Sequence, residues 1–91
     1  MTHLRRSETC RTSGIQKSYL YVQIADGVFP PPIQIGRRAV AWDADEVRAV
    51  NVARAAGATN DELKKLVKNL IALRERRWQE IQENYGLTAE E

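Results

Sequence analysis

Apolar positions change their period several times along this chain, and each change marks an element. In "IQKSYLYVQIADG", residues 15–27, Leu20 and Ile24 stand four apart with Tyr21 beside them, the spacing of one helical face. Gly27 closes that segment. Upstream, "SETCRTS", residues 7–13, predicts a short helix with Ser7 as its cap and Gly14 as its stop. That helix is intrinsically weak, because Thr9, Cys10 and Thr12 are poor helix formers and show no apolar stripe. Two helices joined by a tight turn at Gly14–Ile15 form a helix-turn-helix.

Pro30, Pro31 and Pro32 then stop the helix and stiffen the backbone. Beyond them apolar and polar residues alternate, as in a half-buried strand. A hairpin whose loop around "GRR" has an even number of residues would put Ile33, Ile35, Val40 and Trp42 on one face. Arg37 and Arg38 then stand at its tip, with Gln34 facing outward. The period lengthens again after Trp42. Asp43 and Glu46 are spaced as a capping box. Val47, Val50 and Ala53 or Arg54 follow at helical spacing up to Gly57. Thr59 and Glu62 make a second capping box. It opens a helix of about 25 residues, roughly 37 Å long. Its stripe is Leu63, Leu66, Val67, Leu70, Ile71, Trp78, Ile81 and Tyr85.

Ninety-one residues suit one small domain with a modest core. The net charge of +2 decides little, but its distribution is uneven. Residues 1–42 hold six Lys/Arg against two Asp/Glu, and residues 43–91 hold eight against ten. A polyanion would therefore meet the front half. Cys10 is the single cysteine, so no disulfide closes within the chain and a reducing compartment is expected. No stretch approaches the roughly 20 apolar residues of a membrane span. With one histidine, His3, near a terminus expected to fray, zinc ligation and a Ser-His-Asp or Cys-His set find no support. The reading is a non-enzyme without metal, cofactor or small-molecule ligand. The expected location is the cytosol.

The candidate chemistry is nucleic-acid contact. A helix start rich in polar and basic side chains suits base edges in the major groove. Lys17, Ser18 and Tyr19 are the base-reading candidates, flanked by Gln16 and Gln23. Arg37 and Arg38 suit phosphate or the minor groove, and Gln34 stands ready to assist. Tyr21 reads as packing against the hairpin. Phe29 and Trp42 read as core rather than exposed stacking platforms. Arg5 and Arg6 either touch the backbone or are simply solvated.

One family resemblance rests on residues 13–47, "SGIQKSYLYVQIADGVFPPPIQIGRRAVAWDADEV". The stretch resembles the AlpA-type regulators of prophages and integrative elements, MerR-like winged-helix proteins that include excisionases. The matching positions are Gly14, Ile15, Lys17, Ser18, Leu20, Tyr21, Gly27, Phe29, Pro30, Pro32, Gly36, Arg38, Trp42, Glu46 and Val47. Gln16 stands where the family has a serine cap, and Tyr19 where it has threonine. Arg6, Thr9 and Cys10 replace first-helix aliphatics. The site preference therefore differs from that of typical members, and the first helix is expected to be loosely held.

The resemblance implies a mainly α fold with a small β-hairpin, a winged helix-turn-helix followed by a long C-terminal helix. The expected organisation is a DNA-binding unit over 1–57 and a helical extension over 58–91. The resemblance further implies double-stranded DNA as partner and a role as recombination directionality factor for an integrase. Control of promoters, including that of an integrase gene, is the alternative. A protein-interaction module without DNA binding is a third reading. The distal long helix either packs back on the domain or meets another copy, giving a homo-oligomer on DNA.

Overall fold

In the computed structural model, residues 2–87 are described. The order is β1 (His3–Leu4), α1 (Arg6–Ser13), α2 (Lys17–Ala25), β2 (Ile33–Gln34), β3 (Val40–Asp43), α3 (Ala44–Ala55) and α4 (Asn60–Asn84). The chain is mainly helical, with one antiparallel sheet of order β1-β3-β2. This is a winged helix-turn-helix with a long C-terminal helix, as the sequence predicts.

The N-terminal strand was not expected. His3 pairs with Asp43 and Leu4 with Trp42, and the Ala44 N–H donates to the Thr2 carbonyl at 2.9 Å. His3 is thus held in a sheet rather than fraying. Leu4 packs against the core from the same side as Trp42. A two-residue strand is too short to announce itself by alternation.

The hairpin register also differs from the expectation. Ile33 faces Ala41 and Gln34 faces Val40, and the Ile35 N–H donates to the Ala39 carbonyl at 3.0 Å. Three residues, Gly36 to Arg38, therefore form the tip. An odd loop moves one strand's side chains to the opposite face. Ile33 and Ile35 lie on one side with Ala39 and Ala41, while Val40 and Trp42 lie on the other with Leu4. Trp42 settles the register. It is fully buried, and its Nε1–H donates to the Pro30 carbonyl at 3.0 Å. β3 is the central strand, so Ala41 is buried on one face and Trp42 on the other. Alternation fails for a strand covered on both sides.

The core joins Leu20, Val28, Phe29, Trp42, Val47, Val50, Leu63 and Val67. Phe29 and Trp42 are core, as read. α1 is docked in spite of its weak propensity, with contacts to α2, β3, α3 and β1. Its cap is Arg5, not Ser7. The Arg5 N–H donates to Glu8 Oε1 at 3.2 Å, and Ser7 lies within the first turn. Thr9 is fully buried, and its hydroxyl donates to the Arg5 carbonyl at 3.0 Å. A threonine thus fills a core position because its helix supplies the hydroxyl's partner. At the far end Gly14 takes φ 69°, a left-handed turn that glycine enters without a steric penalty.

α3 and α4 are joined by one ion pair. Asp43 Oδ1 accepts from the N–H groups of Asp45 and Glu46 at 2.8 and 3.1 Å, so the acidic cap is real. The Glu46 carboxylate does not reach back to close a capping box. It accepts instead from Arg74 Nε at 2.8 Å and Nη2 at 2.5 Å. Arg74 Nη2 also donates to the Pro31 carbonyl at 2.9 Å. This hydrogen bonding to Glu46 raises the Arg74 pKa above its ordinary value, against the opposing effect of burial. One guanidinium therefore ties α4 to the start of α3 and to the triproline. The second capping box forms in full: the Thr59 N–H donates to Glu62 Oε1 at 2.8 Å, and the Glu62 N–H to Thr59 Oγ1 at 3.1 Å. Leu63 and Val67 enter the core, while Trp78, Ile81 and Tyr85 farther along the stripe are exposed. No helix among the described residues is long and apolar enough to cross a membrane.

Candidate nucleic-acid interface

α2 presents two unlike faces. Leu20, Gln23 and Ile24 turn inward, Leu20 completely and Gln23 with only 6% exposed. Ser18, Val22 and Ala25, at i, i+4 and i+7, lie on the opposite face and are exposed. Lys17 and Tyr19 flank the start of this face, and Tyr21 leans from it toward the wing. The Tyr21 and Trp42 rings meet edge to face, with centroids 6.5 Å apart and planes at 65°. That contact fixes the spacing between α2 and β3, and it agrees with the packing read for Tyr21.

Beside this face lies an open groove of about 630 Å³, lined by Arg5, Arg6, Ser7, Cys10, Lys17, Arg38 and Val40. Four cations from three separate elements thus surround one concavity. Among the described residues the only ion pair is Arg74–Glu46, so none of these four is neutralised by a described carboxylate. Like charges gathered without partners repel one another, and a bound anion relieves that repulsion. The α2 N-terminus opens at Lys17 beside the groove, and its free N–H groups add to the positive field.

The predicted site residues divide into four groups. Lys17 and Arg38 share the groove. Ser18 and Tyr19 stand in the exposed first turn of α2, and Gln16 is its N-cap, without a side-chain cap bond. Arg37 is exposed at the hairpin tip. The remaining two hold structure together. Gln23 is buried, and its Oε1 accepts from Arg54 Nη2 at 2.5 Å. Gln34 folds over the tip, its Nε2 donating to the carbonyls of Gly36 and, at 3.2 Å, Arg37.

Sequence reasoning left Arg5 and Arg6 undecided and passed over Val22 and Ala25. The signal for the latter pair was present, since 18, 22 and 25 are in helical phase opposite Leu20 and Ile24. Nothing in the local pattern reveals the groove at Arg5 and Arg6. It exists because β1 pins the start of α1 next to β3.

The fold and its basic groove define a winged helix-turn-helix protein. The family described as Prophage CP4-57 regulatory protein (AlpA) matches residues 2–49, and the chain belongs to that family. It is also similar to "Uncharacterized protein ORF88" of Enterobacteria phage P4, with 39% identity over 54 residues. That alignment covers 59% of this chain and 61% of the relative, so the chain spans about three fifths of the curated relative it matches. The family match ends within α3, and α4 lies outside it.

Proposed function

We propose that this protein binds double-stranded DNA through α2 and the wing. The exposed face of α2 enters the major groove with Lys17, Ser18 and Tyr19 at its leading end. The groove lined by Arg5, Arg6, Lys17 and Arg38 holds the phosphates of the adjacent strand, and Arg37 reaches the flanking backbone or minor groove. The observation that carries this reading is the convergence of four cations, without ion-pair partners among the described residues, beside an exposed helix face. No reaction is needed, because the work is binding energy and DNA geometry.

On this reading the protein acts on the nucleoid as a recombination directionality factor of a mobile element. Several copies on clustered sites bend or coat an attachment site so that an integrase excises the element. The basic front half favours this architectural role. Promoter control is the second reading, and the regulatory protein named in the family description favours it.

Selection of genomic fragments at about 0.15 M salt, where non-specific attraction is screened, tests the proposal. Enriched repeats beside an integrase attachment site support excision control. Enrichment over a promoter supports transcription control. An absence of enrichment sinks the DNA reading and turns attention to protein partners.

A further inference from the structure

The inward turn of Gln23 has a chemical consequence for what α2 can read. Direct readout of adenine uses Asn or Gln, and guanine uses Arg or Lys, each through two hydrogen bonds or a bidentate fork. Residues 17–25 contain no arginine and no asparagine, and their single carboxamide is Gln23. That carboxamide is buried against Arg54. The middle of the exposed face is Ser18, Val22 and Ala25. Serine and alanine are small enough to let the helix axis approach the base pairs closely. Val22, half-exposed at 50%, is the branched apolar side chain that projects between them. Single exposed apolar residues are common on protein surfaces. This one stands at the centre of the face proposed to enter the groove, where α2 exposes neither a carboxamide nor a guanidinium. The one base-pair feature of the major groove that an aliphatic side chain recognises is the thymine C5-methyl group.

We infer that Val22 is a specificity-determining residue that reads thymine through its methyl group. This inference rests on the DNA-binding reading above and adds the chemistry of the site. Lys17, five residues nearer the start of the helix, supplies the hydrogen-bonding or phosphate contact. Val22 sets an A·T pair about 7.5 Å deeper along the helix axis. The exposed Asp26 closes the face, since a carboxylate there is repelled by phosphate.

The test uses the full chain and a duplex recovered by fragment selection. Each thymine in turn is replaced by deoxyuridine, which removes only the methyl group. At one or two positions the wild-type protein should bind the deoxyuridine duplex roughly fourfold more weakly, the worth of one buried methyl. Val22→Ala should bind both duplexes equally at those positions, with an unchanged melting temperature because the side chain is outside the core. If uridine is tolerated at every position while tight binding persists, the thymine inference is overturned and the DNA reading stands. If the methyl effect survives in Val22→Ala, another residue reads it and the assignment to Val22 falls. If no fragment is bound at all, the DNA reading itself fails and the inference goes with it.

Discussion

Arg74 and Arg38 are the same side chain in opposite circumstances. Arg74 is partly buried and spends three hydrogen bonds on Glu46 and Pro31. Arg38 is exposed on a tip, without an ion-pair partner, facing a groove with Arg5, Arg6 and Lys17. Arg54 belongs with the first, since it holds the buried amide of Gln23. The difference separates fold from function on physical grounds. A cation whose donors are satisfied within the chain has little left for a ligand. A cluster of cations with no partner among the described residues adds nothing to stability and makes an anion-binding surface. Counting basic residues along the sequence would have given both kinds equal weight.

The largest expected effect tests the paired side. Arg74→Ala leaves the mostly buried Glu46 carboxylate without its partner, and should lower unfolding free energy by about 3 kcal/mol in urea titration. If stability is unchanged, α4 is not clamped through this pair. Next comes the unpaired side. Lys17→Ala with Arg38→Ala should weaken DNA binding at least tenfold. It should also lower the slope of log affinity against log salt by about 2. Unfolding free energy should stay within about 0.5 kcal/mol of the parent, and a large loss would mean that these cations hold the fold as Arg74 does. Arg54→Ala strips Gln23 of its hydrogen bond inside the fold. A loss of about 1 kcal/mol is expected, with DNA affinity changed only through folding. The smallest effect belongs to Arg37→Ala, which removes one tip cation outside the groove. Its expected signature is a fall of about 1 in the salt slope with unaltered stability, and an unchanged slope would take Arg37 out of the interface.

The helices were legible because their signals are local. The capping pair Thr59 and Glu62, the acidic cap Asp43 and the stops at Gly14 and Gly57 act within one turn of the residues they govern. The helix-turn-helix and the wing followed from spacing and from the resemblance over residues 13–47. The errors fell where the partner is distant in sequence. Ser7 lost the cap because Arg5 is held by the neighbouring β1. The hairpin slipped by one residue because Trp42 is anchored to Pro30, which the alternation of isoleucines cannot express. Glu46 left its expected capping box for an arginine 28 positions away. Gln23, polar though in phase with Leu20, reads as a surface residue because nothing nearby in the sequence points to Arg54.

By itself, then, the sequence determined that four helices form and where the last two are capped, that a wing follows the second helix, and which family the chain resembles. Those properties depend on backbone conformation and on contacts within a few residues. Only the tertiary structure decided which polar side chains are used up inside the fold and which face outward. That is a question of partners between 28 and 43 residues apart, as in the links from Glu46 and Pro31 to Arg74. The basic groove has the same origin. Arg5, Lys17 and Arg38 become neighbours only when β1, α2 and the wing are brought together around Trp42.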